Sequence, residues 1–263
     1  MLIDTHSHIY AEEFDTDRDE VVARAEAAGV GCIVLPAIDS KSHSRQEALA
    51  MSRPGLFRQM MGLHPTSVGE DYREELETAR ALLFGTPCKY VAVGEMGLDF
   101  YWDTTYRQQQ VEVVEIQLGW AEELGLPVAL HLRSGKEQTP ETDAYAEMFR
   151  ILDGRRCRGI MHCFSGTLDD ALRAVEMGFL LGIGGVVTYK KSTLPDIVRA
   201  VPLESIVLET DAPYLAPVPW RGRRNETSYL VHVAQKVAEI KGTTVEEVSS
   251  VTTENAKKLF SNL

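Results

Sequence analysis

The chain opens MLIDTHSHIYAEEF, which places His6 and His8 one residue apart behind Asp4, at the end of an apolar run. In an extended strand, residues i and i+2 point to the same side, roughly 6.5–7 Å apart along the backbone. Two imidazoles so placed can lean toward one metal ion. A His-x-His pair at a strand mouth is equally compatible with plain hydrogen-bonded structure, so further ligands must come from elsewhere. Glu95, His131, His162 and Asp211 are the candidates, each within or at the end of a short apolar run. Imidazole and carboxylate donors in this mix suit Zn²⁺, Mn²⁺ or another divalent transition ion. These six donors exceed what one tetrahedral ion takes, and a pair of ions bridged by a carboxylate uses the surplus.

Elements that could bring such distant residues together recur along the chain. Strand-length apolar runs occupy residues 1–6, 31–37, 57–64, 90–97, 127–132, 159–164, 179–185 and 205–211. They are rich in Val, Ile, Leu and Met without strict polar alternation, as in strands buried on both faces. Helical patterns lie between them at 17–29, 106–125 and 167–178, with two more after the last strand at 228–241 and 244–261. Gly29 and Gly178 stand just past two of the helix ends, and Thr167 with Asp170 resembles a capping box. Alternation of this kind predicts right-handed βαβ units and a parallel sheet. Eight repeats in 263 residues fit a closed α/β (β/α)8 TIM barrel spanning 1–263 as one domain. An open doubly wound sheet would favour a Gly-rich phosphate turn after the first strand, where THSHIYAEEF stands instead. In a barrel, the carboxyl ends of the strands form one rim. His6, His8, His64, His131 and His162 fall there, whereas His43 and His232 fall in helical stretches.

With 44% hydrophobic and 25% charged residues the composition is that of a globular protein with ample core. A net charge of −12 argues against a broad nucleic-acid or membrane footprint, without excluding a local basic mouth. The four cysteines show no C-x-x-C spacing and read as reduced, mostly buried thiols. Neither a signal peptide nor a membrane span is evident, so a cytoplasmic chain without an obligate protein partner is expected.

The ordered motifs IDTHSH, GLHP, VGEMGLDFY, PVALHLR, MHCFSG, LETDAPYLAP, RGRRNE and VTTENAKKLF cover nearly the whole chain. Together they resemble the TatD family of metal-dependent hydrolases, within the amidohydrolase-like barrels. The resemblance implies two divalent ions (zinc, magnesium or manganese) on His6, His8, Glu95, His131, His162 and Asp211, with Glu95 as the bridge. It implies a deoxyribonuclease acting at DNA 3′ ends, the partner being a DNA end or short nucleic acid. The alternative is an ester or amide hydrolase, such as a D-aminoacyl-tRNA deacylase. Two departures from the family pattern, Ser67 in HPTS and Thr227 after RNE, bear on substrate preference rather than on the ligands.

A metal pair activates water, and Asp211 is the natural general base beside it. Glu95, as bridge, belongs to the catalytic set. Arg133, two residues beyond His131, is a candidate cation for the charge developing on the phosphoryl group, and His64 is a candidate for a phosphate oxygen or the leaving group. The segment 212–225 carries three arginines, two aromatics and three prolines on the same rim. It reads either as a basic, base-stacking patch or as a stiff loop whose arginines pair with barrel acids. Tyr101 and Trp102 pose the same choice. A non-catalytic scaffold would have lost a ligand, and none is lost.

Overall fold

The computed structural model describes residues 1–86, 88–137 and 139–260. Its elements alternate as the apolar runs predict. In order they are β1 (Leu2–Asp4), α1 (Arg18–Ala27), β2 (Val30–Leu35), α2 (Ser40–Ser52), β3 (Phe57–Met61), α3 (Tyr72–Gly85), β4 (Tyr90–Asp99) and α4 (Arg107–Leu124). There follow β5 (Val128–Arg133), α5 (Ala144–Leu152), β6 (Gly159–His162), α6 (Leu168–Glu176), β7 (Leu180–Ile183), α7 (Leu194–Ala200) and β8 (Ile206–Leu208). Last come α8 (Leu230–Lys241) and α9 (Val245–Leu259). The eight strands pair in parallel in the order β1 to β8. Between β8 and β1 the circle is drawn together by Thr5, whose N–H donates to the Leu208 carbonyl at 3.1 Å, and by the Asp211 N–H, which donates to the His6 carbonyl at 2.9 Å. This is a TIM barrel.

Helix boundaries follow local chemistry. Thr167 and Asp170 form the reciprocal capping box at the start of α6, and α4 stops at Gly125 in the left-handed conformation. Every strand contributes to an inner apolar cluster that includes Ile3, Val34, Met60, Ala92, Ala129, Ile160 and Val207. Ala256, Leu259 and Phe260 belong to the same cluster, so α9 closes the barrel at the amino ends of the strands. Asn255 ties α9 down by donating to the carbonyls of Leu203 and Ile206 at 3.0 and 2.8 Å. A larger cluster fills the space between strands and surrounding helices. The bottom is therefore sealed with hydrocarbon, and the opposite rim is left for polar groups.

Several strands are shorter than their apolar runs. β1 ends at Asp4 and β8 at Leu208, so His6, His8 and Asp211 lie beyond the strands rather than within them. The reason is polar. Asp4 is fully buried and accepts from the Thr210 N–H at 2.9 Å, the Thr210 hydroxyl at 2.5 Å and the His6 N–H at 3.3 Å. Its carboxylate takes donors that a regular ladder would otherwise use. Burial pushes Asp4 up to about 7, against the pull of those bonds. The cysteines also depart from expectation. All four are free thiols, but only Cys32 is fully buried and Cys88 is exposed. Among the described residues, no helix is long and apolar enough to cross a membrane.

Candidate metal centre

Glu95 forms the floor of the rim. It stands in β4 behind a cis Gly94–Glu95 peptide, and its side chain is 2% exposed. Its two oxygens face different partners. Oε2 lies 3.0 Å from His6 Nε2 and 3.5 Å from His8 Nε2. Oε1 lies 2.9 Å from His131 Nδ1, 3.3 Å from His64 Nε2 and 3.7 Å from His162 Nε2. Burial alone would raise this carboxyl. The imidazoles of His6, His64 and His162 outweigh it and hold Glu95 well below the usual carboxylate range.

Asp211 approaches from above. Its residue adopts a left-handed φ of 56°, which turns the chain back toward β1 just after β8. Oδ1 reaches to 3.6 Å from His8 Nε2 and 3.7 Å from His162 Nε2. At 16% exposed against 2% for Glu95, Asp211 is the carboxylate that incoming water meets. Burial pushes it up to about 6. His6 and His162 stack with ring centroids 3.4 Å apart. The structure thus brings all six predicted donors, and His64, into one cluster.

The donors fit a cation. His6 Nε2 and His8 Nε2 face each other at 3.2 Å. Two nitrogens bound tetrahedrally to one ion at 2.0–2.1 Å would lie about 3.3 Å apart. Glu95 Oε2, although buried, has no hydrogen bond despite its short distances to His6 and His8. Leaving a buried carboxylate oxygen unpaired is costly, and an ion between these groups removes the cost. Four sets of donor atoms lie within metal-binding reach of one another, among them His6–His8–Asp211 and His64–Glu95–His131. Hydrogen bonds to Asp99 and Glu95 overcome burial and raise His131 to about 9, while the Glu209 and Glu95 carboxylates raise His162 to about 10. Those protons supply positive charge that an ion would replace on binding.

Three further residues aim the imidazoles, and sequence reasoning missed them. The Tyr10 hydroxyl donates to the Pro36 carbonyl at 2.7 Å, so it accepts from His8 Nδ1 at 2.9 Å, leaving the Nε2 lone pair of His8 facing the centre. Asp99 Oδ2 contacts His131 Nε2 at 3.0 Å, and Glu209 Oε1 lies 3.1 Å from His162 Nδ1. Carboxylate–imidazole pairs of this kind orient ligands and raise their basicity. The only signals available were positional, Asp99 four residues after Glu95 and Glu209 two before Asp211. We predict that Tyr10→Phe weakens metal binding by about 10- to 100-fold without unfolding the barrel. Calorimetric titration beside a thermal melt checks this, and parent-like affinity would remove Tyr10 from the role.

His64 is placed differently. Its Nδ1 accepts from the Thr66 N–H at 3.1 Å, so the neutral ring carries its proton on Nε2. Burial lowers its pKa and keeps it neutral. It is therefore a hydrogen-bond donor toward Glu95 or a bound oxygen. Cys163 also lies near His162 and Asp211, but burial and the surrounding carboxylates hold its thiol protonated. Arg133 closes β5, with its guanidinium 3.9 Å from the Tyr101 ring centroid. In the 212–225 segment the arginines divide. Arg224 pairs with Asp17 at 2.6 Å and covers Phe14, a structural role. Arg221 lies over Tyr189 and Arg223 over Trp220. Thr227, one of the two departures, contacts the Ser7 hydroxyl at 3.2 Å between His6 and His8.

The family model described as TatD related DNase matches residues 3–261. The metal-dependent hydrolase YabD of Bacillus subtilis is 38% identical over 261 residues, covering 99% of both chains. The 3′-5′ ssDNA/RNA exonuclease TatD of Pantoea vagans is 32% identical, covering 98% of this chain and 99% of its own. The crystal structure of YjjV, a TatD homologue from Escherichia coli, superposes with a TM-score of 0.88 at 32% identity over 99% of this chain and 98% of its own. A barrel whose rim gathers imidazoles and carboxylates able to hold a metal, matched along its full length by these relatives, belongs to the TatD family of metal-dependent hydrolases.

Proposed function

We propose that this protein hydrolyses phosphodiester bonds at DNA 3′ ends, using two divalent ions held by His6, His8, Glu95, His131, His162 and Asp211. The observation that carries the reading is the division of Glu95, one oxygen toward His6 and His8, the other toward His131 and His162. Divalent ions held by these residues would supply Lewis acidity and lower the pKa of a bound water toward neutrality. Asp211 accepts the proton of the attacking water, for which its position at the open side suits it. The water oxygen bonds to phosphorus and the phosphorus–O3′ bond breaks, releasing a nucleoside 5′-phosphate and a shortened strand. The Nε2–H of His64 donates to a phosphate oxygen or to the departing O3′, and Arg133 balances charge on the phosphoryl oxygens.

Support for a nucleic-acid substrate comes from the exonuclease name of the Pantoea vagans relative and from the DNase description of the family model. The same water activation would serve an aminoacyl ester. A panel of purified protein with Mg²⁺, Mn²⁺ or Zn²⁺, given 3′-labelled DNA, aminoacyl-tRNA and a simple aryl ester, separates the two. We expect metal-dependent release of mononucleotides that stops on chelation. Faster deacylation of the aminoacyl-tRNA, with DNA left intact, would replace the phosphodiesterase reading by the esterase one.

A further inference from the structure

The turn that carries Asp211 is held from two sides. On the side of β1, the Asp211 N–H donates to the His6 carbonyl at 2.9 Å and the His8 N–H donates to the Ala212 carbonyl at 2.8 Å. The Tyr214 N–H closes the turn on the Asp211 carbonyl at 2.8 Å. From the far side comes Asn225, which is fully buried. Its Nδ2 donates to the Thr210 and Tyr214 carbonyls, both at 2.7 Å, one residue before Asp211 and three after it. Its own N–H donates to the Pro213 carbonyl at 2.9 Å. The chemistry above gives Asn225 no part.

Two features set these contacts apart from ordinary loop packing. Asp211 holds a φ of 56°, a left-handed conformation that a non-glycine residue keeps only where its surroundings over-determine it. Asn225 uses both amide hydrogens to grip the turn on either side of the residue whose carboxylate faces His8 and His162. The chain then continues to a second ligand-bearing segment. The Thr227 hydroxyl lies 3.2 Å from the Ser7 hydroxyl, between His6 and His8, and both residues are fully buried. Thr227 is one of the departures from the family pattern, so this contact comes from the chain's own sequence. Between the two, Glu226 is fixed to α1, since Arg24 Nε and Nη2 donate to its two carboxylate oxygens at 2.9 and 2.7 Å. Such a bidentate pair fixes geometry as well as charge. Three consecutive side chains thus anchor to the Asp211 turn, to α1 and to the His6–His8 segment.

We propose that Asn225 and Thr227 are positioning residues, the two feet of a strap that sets where the Asp211 carboxylate stands relative to His6 and His8. The proposal rests on the reading of Asp211 as base and ligand. Without the Asn225 amide, the Thr210 and Tyr214 carbonyls lose that donor and the turn is free to swing on its bond to His6. The carboxylate then leaves the place that an attacking water requires, and a misplacement of about 1 Å costs on the order of 10²-fold in rate. Neither residue touches the reacting atoms; both act through the ligand-bearing segments they hold.

Affinity for Mn²⁺ is read by calorimetric titration beside a thermal melt, and turnover at saturating Mn²⁺ on 3′-labelled DNA and on an aryl ester. Asn225→Ala should weaken Mn²⁺ binding and lower kcat by about 10- to 100-fold each, with KM nearly unchanged. Asn225→Ser takes its place if the alanine variant does not fold. Thr227→Val, which keeps the shape without the hydroxyl, should weaken Mn²⁺ binding, and Thr227→Ser should restore it. In an Asp211→Asn background, Asn225→Ala should change kcat by no more than about twofold, because the group it positions is already gone. A general loss of packing would instead multiply the two effects. Parent-like affinity and kcat in Asn225→Ala, parent-like affinity in Thr227→Val, multiplied losses in the double variant, or failure of both Asn225 variants to fold each overturn the strap and leave the role of Asp211 standing. Parent-like turnover in Asp211→Asn overturns both. Turnover of the ester alone overturns the phosphodiesterase reading, and the same comparisons on the ester then decide the strap.

Discussion

Asp211→Asn is expected to leave the barrel folded and to lower turnover by about 10²- to 10⁴-fold, the usual cost of removing a general base. Asparagine keeps the shape but has neither charge nor proton-accepting power. The fold should survive because the backbone N–H of Asp211, which donates to the His6 carbonyl at 2.9 Å, is untouched. The side chain, by contrast, faces His8 and His162 across 3.6–3.7 Å and makes its contacts inside the centre. If Asp211 is a ligand as well as a base, metal affinity falls with turnover. Melting, metal content and rate are therefore measured together at saturating metal. A variant that melts normally, keeps its metal and turns over near the parent rate would remove Asp211 from catalysis, and one that fails to fold would make it chiefly structural.

Glu95→Ala should cost more metal than any other single change. Both carboxylate oxygens face imidazoles, so its loss unbalances the His6–His8 side and the His131–His162 side together. Orienting partners of metal ligands already contribute about 10- to 100-fold in affinity, and a shared ligand should exceed that range. Metal analysis after dialysis against defined metal buffer should show fewer ions per chain than the parent, with turnover falling by at least about 100-fold. Glu95→Gln preserves the shape, so a stoichiometry lowered equally in both variants assigns the effect to the lost charge. Parent-like stoichiometry and affinity in Glu95→Ala would sink the bridge.

The barrel was legible because its signals are local. Strands buried on both faces read as unbroken apolar runs, and helices announce their ends through residues such as Thr167, Asp170 and Gly125. Given eight strand–helix repeats, strand-end positions must share a rim, so the convergence of His6, His8, Glu95, His131, His162 and Asp211 followed from chain order. Strand ends were less legible. β8 stops at Leu208 because Asp4, some two hundred positions away, takes the donors of Thr210, and no window around residue 208 contains that fact.

By itself, then, the sequence determined the alternation, the closing of the sheet and the types of donor at its rim, since apolar period and helix punctuation act over a few residues. Tertiary structure decided what each donor does. Tyr10 draws the proton of His8 to Nδ1 and leaves a lone pair on its inward Nε2, whereas Thr66 occupies Nδ1 of His64 and leaves the proton on its inward Nε2. Asp99 and Glu209 back His131 and His162, Arg224 is withdrawn to Asp17, and Arg133 is left uncommitted over Tyr101. These outcomes depend on side-chain direction and on hydrogen-bond partners brought together only when the barrel closes. Two residues of the same type, such as Arg133 and Arg224 or His8 and His64, therefore acquire different roles that their letters in the chain do not distinguish.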